Sequence, residues 1–202
     1  MAKIKLTKTQ KKAEQDALRQ YLRFLPTLQL KKQQLLVELR QSADRLREAR
    51  EAFDRENERL AVFAGLFGDD ALAAKAAARV RMIAVHRGEM NIAGIEVPTF
   101  DRVEFADIPG DLFVDDPAVE DCIEALKTVI SNREAYAILE EQHRMLDREL
   151  TVTTQRVNLF EKVKIPEARE NIRKITIYLS DQDTAAVVRS KIAKGKNTEA
   201  AA

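Results

Sequence analysis

Glycine and proline crowd into one central window of this chain, and that distribution constrains the fold more than any other feature. Five of the six glycines (Gly65, Gly68, Gly88, Gly94, Gly110) and three of the five prolines (Pro98, Pro109, Pro117) fall between residues 65 and 117. Outside it, only Pro26, Pro166 and Gly195 interrupt the chain. These two residues are the strongest punctuators of regular structure, so the chain reads as helix, irregular middle, helix. The expected divisions are an N-terminal coiled-coil arm over 1–65, a middle head over 66–117, a C-terminal arm over 118–194 and a disordered tail over 195–202.

The first arm carries a heptad. Stepping by seven gives Leu18, Leu25, Lys32, Leu39, Leu46, Phe53, Leu60 and Phe67, of which seven of eight are apolar. Apolar residues every 3.5 positions on average keep one seam facing a partner helix, which is the coiled-coil condition. The companion row expected four residues on, Leu22, Gln29, Leu36, Ala43, Arg50, Asn57 and Ala64, is mixed. It implies a narrow seam with polar insertions. The second arm repeats the habit with Leu139, Leu146, Thr153 and Phe160 in one row and Tyr136, His143, Leu150 and Val157 in the other. Past Pro166 a fresh stripe begins at Ile172, Ile175, Leu179 and Ala186. Asp116 followed by Pro117 has the form of a helix start, a capping side chain before a first-turn proline.

Two helices joined by a middle insert fold back most simply as an antiparallel pair. The expected fold is therefore mainly α: a long antiparallel two-helix coiled coil, or helical hairpin, with a small β-hairpin and a short irregular or helical insert in the middle. A pairing that sets Leu60 against Asn132 and Pro26 against Pro166 would let both helices bend at one level, since each proline removes a helix hydrogen bond. At about 1.5 Å per residue, arms of roughly 60 residues give a rod on the order of 90 Å. A lone pair leaves apolar surface uncovered, so contacts from other chains are expected.

The middle differs in kind. Val80 to Phe105 holds two β-branched stretches around Asn91–Gly94 and reads as a β-hairpin. From Asp101 to Asp121 there are eight acidic residues against one basic, Arg102. The ends are the reverse, with Lys3, Lys5, Lys8, Lys11 and Lys12 at the start and Arg189, Lys191, Lys194 and Lys196 at the finish. An antiparallel hairpin would bring the two basic ends together, away from the acidic head.

Composition excludes several classes. Charged residues are 33% and aromatics 5%, with no Trp, which argues against a β-sandwich or a compact α/β enzyme. Hydrophobic residues at 45% argue against wholesale disorder. Lys+Arg 34 against Asp+Glu 33 gives a net charge of +1, so the whole chain is no polyanion binder. Clustered end lysines are one footprint of nucleic-acid binding. However, only Tyr21 and Tyr178 lie near them as stacking residues and no reading motif accompanies them, so solubility or docking onto protein is the preferred reading. Apolar runs such as Ala61–Phe67 are too short to cross a bilayer, for which roughly 18 residues are needed. The opening MAKIKLTKTQKK has charge but no apolar core segment, so no secretory signal is expected and the reading is cytoplasmic.

No catalytic motif is visible. Gly195-Lys196 lacks the upstream glycine of a phosphate-binding loop, and neither a G-x-S-x-G elbow nor an H-E-x-x-H helix is present. His143 falls in a seam row, where a polar packing role is preferred to that of a ligand or base. The single Cys122 has no His or Cys at ligand spacing and is read as a small buried hydrophobe. Catalysis by this chain alone, a cofactor and a metal are all unexpected.

Two stretches resemble a known family. Lys3–Leu36 and Arg156–Lys194 are similar to the ends of the stalk protein called D in V-type (A/V-type) rotary ATPases. The specific points are Leu6-Thr7, the leucine-rich helix after Pro26, Arg156, Asn158 and Glu161 ahead of Ile165-Pro166, and the closing Arg189-x-Lys191-Ile192. Asn91–Pro98 also resembles the family's central hairpin. Lys8 stands where many members have proline, and the arginine-rich run before the late proline is thinned to Arg156. The resemblance implies a non-catalytic central-stalk rotor whose joined termini enter the hexamer of catalytic A and regulatory B subunits. It also implies binding of the small F subunit lower down and seating in the socket (C/d-type) subunit above the membrane ring. It makes the chain peripheral to the membrane through the complex, without direct insertion. On this reading the tip facing the hexamer is built from Leu6, Leu22, Ile172, Ile175, Leu179, Val187, Arg189 and Lys191. The alternative from a different class is a free coiled-coil holdase or tether, prefoldin-like in its two helices and β-hairpin.

Overall fold

The computed structural model describes residues 5–67, 70–110 and 117–200. In chain order it contains α1 (Lys8–Phe67), α2 (Asp70–Arg79), β1 (Met82–Ile92), β2 (Ile95–Phe105), α3 (Pro117–Asn158), a π-helical turn (Leu159–Lys164) and α4 (Ile165–Ala200). It is mainly α, with a two-stranded sheet and a short helix in the middle of the chain. α4 is helical through Ala200, past Gly195, where the sequence reading starts a tail. Lys3, the cap assigned to Asp116, the acidic positions Asp111 and Asp115, and the side chain of Phe67 lie outside the described residues. The chain divides into two compact units, residues 1–32 with 152–202 and residues 33–151.

In the first unit, α1 starts at a cap. The Gln10 N–H donates to Thr7 Oγ1 at 3.2 Å, satisfying one of the orphan donors of the first turn. Pro26 lies within α1 and contributes no N–H to its ladder. The Tyr21 and Phe160 rings meet with centroids 5.1 Å apart, tilted by 49°. Ala13 and Ala17 of α1 line one shallow groove with Lys164, Glu167 and Ala168. These levels correct the expected pairing. Pro166 stands opposite the first turns of α1, about three helical turns from the level of Pro26, so the prolines do not share a bend. Side-chain packing sets the axial alignment, and the prolines do not enter it.

The π turn has a readable cause. Continuing the 146–153–160 row and its companion 150–157 in unbroken α-helix would bring Lys164, Glu167, Asn171, Lys174 and Tyr178 to the seam. Of these only Asn171 is buried. The apolar positions turned inward are instead Ile165, Ala168, Ile172, Ile175 and Leu179, each one residue later. One extra residue has been accommodated between Leu159 and Lys164, where the Ile165 N–H reaches back to the Phe160 carbonyl. That is the i to i−5 bond of a π-helix, the usual form of a single-residue insertion in an α-helix.

In the second unit, the hairpin register runs from Met82↔Phe105 to Ile92↔Ile95, with irregularities at Met82/Ala84 and His86/Arg87. The two-residue turn Ala93-Gly94 has φ of 52° and 79°. Both angles are positive, the type I′ geometry whose twist matches that of the strands. The Gly94 N–H donates to Asn91 Oδ1 at 3.0 Å. The tip of the hairpin docks on the helices: Ile92 and Val97 are buried with Leu35 of α1 and Leu146 of α3, and Leu39, Met145 and Leu150 pack around them. Farther from the tip, Arg87 pairs with Glu141 at 3.2 Å and Lys127 Nζ lies 6.0 Å from the centre of the Phe105 ring. A second cluster joins Ala76 of α2 to Val119, Cys122 and Ile123 of α3, with Leu60, Val80 and Leu126 against it. Leu60 therefore meets the first turns of α3 and not Asn132.

The seam of α1 has a different companion row from the one anticipated. Leu18, Leu25, Lys32, Leu39, Leu46, Phe53 and Leu60 are all half-buried. Their partners are three residues on: Tyr21 and Leu28 are half-buried, Leu35 and Ser42 are buried, and Ala49 and Glu56 are half-buried. Leu22, Gln29, Leu36, Ala43, Arg50 and Asn57 are exposed. An a/d seam alternates steps of three and four, and starting from Leu18 either step is arithmetically allowed. Only the packing of Leu35 and Ser42 against α3 selects the first.

Candidate partner-binding surfaces

The residues with chemical potential have structural placements. His86 Nε2 lies 2.8 Å from Glu104 Oε2 on the hairpin surface. His143 Nδ1 lies 3.3 Å from Ser42 Oγ within the helix pair. Cys122 is buried in the second cluster, and burial pushes its thiol above the usual value, which disfavours the nucleophilic thiolate. Among the described residues, no three His, Cys, Asp or Glu side chains are grouped to hold a metal ion. No helix among them is long and apolar enough to cross a membrane.

The surface is where the sequence exceeds the needs of its own packing. In the first unit, the tip residues expected to act as a group fall into two sets. Ile175 is fully buried, with Ile172 and Leu179 half-buried beside it, so these three form the inward stripe of α4. Leu6, Leu22 and Val187 are exposed, Val187 by 56%, and Arg189 and Lys191 are exposed beyond them. The same unit exposes Tyr178 and Ile192, and also Ile177 and Val188, which the sequence alone did not single out. Their signal was present: Ile177, Val188 and Ile192 recur at helical spacing on a face away from Ile175. An amphipathic helix with one buried stripe needs only one apolar face. α4 exposes these further large apolar groups outside its buried stripe, interleaved with Asp181, Thr184 and Lys191.

The second unit contributes Leu36, Val37, Val62, Met82, Ile83 and Met90 as exposed apolar side chains. It also holds a feature that no periodicity reveals. The Arg79 guanidinium pairs with Glu120 at 2.6 Å and its Nε donates to the Ile108 carbonyl at 3.4 Å. A Cβ on Gly110 would collide with it. Arg79 thereby ties the end of α2 to the segment after β2 and to the start of α3. Of the seam residues expected from the second arm, Leu146 and Val157 are buried, and Leu150 and Phe160 are half-buried.

Antiparallel helices carrying a docked hairpin, with apolar faces in excess of what the chain itself covers, define a class of protein whose structure is organised for contact with other chains. The comparisons with known proteins narrow that class. The family model for the ATP synthase D subunit matches residues 10–195. A V-type ATP synthase D subunit from Borreliella burgdorferi is 43% identical over 194 residues, covering 96% of this chain and 95% of that one. The corresponding V-type ATP synthase D subunit from Chlamydia caviae is 33% identical over 196 residues, covering 96% and 94%, and that from Chlamydia muridarum is 33% identical over 96% of each chain. The chain belongs to the ATP synthase D-subunit family.

Proposed function

We propose that this chain is the central-stalk rotor component of a V-type ATP synthase or ATPase. In that role it transmits torque between the A/B catalytic hexamer and the ion-translocating ring of the membrane, without a catalytic site of its own. The observation that carries the reading is that α4 exposes large apolar side chains outside its buried stripe. Its Ile172, Ile175 and Leu179 stripe is occupied by packing inside the unit, and its Ile177, Val188 and Ile192 face remains for a surrounding partner. Leu6, Leu22, Val187, Arg189 and Lys191, all exposed, would add to the contact with that partner. The small F subunit and the socket subunit would take surfaces of the second unit, and attachment to the membrane would be peripheral, through the complex.

A bearing surface must change its contacts as it turns, so no single exposed ion pair should dominate, each being worth about 0–1 kcal/mol. Neutralising Arg189 or Lys191 alone should leave ATP turnover of the reconstituted complex nearly unchanged. Truncation from Ile172 onward should abolish ion transport per ATP hydrolysed, while the F subunit is still captured by the truncated chain. Full coupled transport by the truncated chain would refute the assignment of the termini to the gripped end.

A further inference from the structure

The second unit buries polar side chains between α1 and α3. Ser42 of α1 is 1% exposed and Gln142 of α3 is 2% exposed. Ser42 Oγ lies 3.3 Å from His143 Nδ1, across the two helices. The Gln142 side-chain oxygen is buried without a hydrogen-bond partner among the described residues. Apolar layers flank these residues, with Leu35, Leu39, Leu146 and Leu150 on one side and Leu46 and Ile138 on the other. A buried polar group with incomplete partners destabilises a fold, and an apolar side chain of similar size would not. Something other than stability accounts for these three residues.

The repeat in α1 supplies the reason. Leu39, Leu46, Phe53 and Leu60 recur every seven residues, so a slip of α1 by one heptad moves each into the site of its neighbour with little change in apolar contact. Lys32 and Glu56 also interrupt the seam rows but are only half-buried, whereas Ser42 breaks the equivalence at a fully buried position, its row neighbours being Leu35 and Ala49. A one-heptad slip in one direction would set Leu35 at the Ser42 site, against His143, and the opposite slip would bury Ser42 at the Leu35 site, among Ile92, Val97 and Leu146 and without His143. Both moves strand polar atoms. The hairpin needs the native alignment as well, because Ile92 and Val97 dock on Leu35 and Leu146 together.

We propose that Ser42, Gln142 and His143 act as a register lock, a polar layer that fixes the axial alignment of α1 against α3 and lowers stability in doing so. The lock rests on packing alone and does not depend on the rotor role. A single polar pair at a seam position is the best-attested way in which helix pairs exclude wrong registers.

The test uses the full chain with Cys122→Ala and spin labels at the exposed positions Arg45 and Asp147. Distances between the labels are measured by pulsed electron paramagnetic resonance. With the layer intact, one narrow distance is expected. The triple variant Ser42→Ala, Gln142→Leu, His143→Leu should show a second population from α1 displaced by one heptad, about 10 Å along the axis. Its thermal midpoint should be unchanged or raised. A single native distance in the triple variant would overturn the proposal, because the hairpin or the apolar layers would then fix the register unaided. A clear fall in the midpoint, or failure to fold, would overturn it too, since the layer would then contribute net stability. Ser42→Ala alone removes one hydroxyl, keeps the chain folded and should already show a minor slipped population; its absence counts against the lock.

Discussion

Leu35 and Leu36 are adjacent leucines in one helix, and the structure assigns them opposite energetic weights. Leu35 is 0% exposed, enclosed by Ile92, Val97 and Leu146, whereas Leu36 is 37% exposed on the row facing away from α3. Truncating an enclosed leucine to alanine removes its transfer free energy and leaves a cavity that neighbours fill only in part, for about 3–5 kcal/mol. The cavity at Leu35 lies where three elements meet, two helices and the hairpin tip, so relaxation of one cannot fill it without disturbing the others. Leu35→Ala should therefore cost about 3–4 kcal/mol, which in a chain of this size lowers the thermal midpoint by about 6–16 °C. Leu36→Ala leaves no cavity and should stay within about 1 kcal/mol. The assay is thermal and urea denaturation of both variants followed by circular dichroism, with hydrogen exchange of the hairpin amides read in parallel. Leu35→Ala should also speed exchange in β1 and β2, because it removes the floor on which Ile92 and Val97 rest. Equal losses for the two variants, or a larger loss at Leu36, would refute the placement of the seam on the Leu35–Ser42 row.

Deleting Lys162 should convert the π turn to continuous α-helix, keeping the Ile165–Leu179 stripe in phase and the midpoint within about 1 kcal/mol of the parent. Deleting Arg173, in regular α4, should instead rotate the residues beyond it by about 100° and strip Ile175 and Leu179 from the seam, seen as a large loss of stability. Ala93 holds a left-handed φ that costs an alanine roughly 1–2 kcal/mol, so Ala93→Gly should be neutral or stabilising in urea melts and Ala93→Val destabilising. Arg79→Ala removes the tie to Glu120 and to the Ile108 carbonyl and should destabilise by about 1–3 kcal/mol, with faster hydrogen exchange confined to α2 and the first turns of α3.

Much of this architecture is a matter of local chemistry and was legible in the residues alone. The crowding of glycine and proline between 65 and 117 marks where long helices cannot run, because φ freedom and missing N–H groups act on the residues themselves. Asn91 and Gly94 place the hairpin turn for the same reason: a turn with positive φ is decided by the side chains within it. The heptad from Leu18 to Leu60 likewise marks one of the two seam rows. The sequence ends and the hairpin together were sufficient to suggest the family.

What the chain could not reveal by itself depends on which surface meets which. Starting from Leu18, the second seam row lies three or four residues on, and only contact with Leu146 and His143 excludes the Leu22 row in favour of Tyr21, Leu35 and Ser42. The axial alignment, and with it the separation of Pro26 from Pro166, is a sum of side-chain contacts between segments more than a hundred residues apart. The one-residue shift at Leu159–Lys164 is invisible as a motif, because a π turn has no composition of its own; it exists since Ile165, Ala168 and Ile175 bury more apolar surface than Lys164, Glu167 and Lys174 could. Arg79 carries no motif in the sequence, and Ile108, Gly110 and Glu120 close around it only in the fold. Local propensity chooses the elements, whereas register, phase and clasp are chosen by burial, which no single segment possesses before the others are in place.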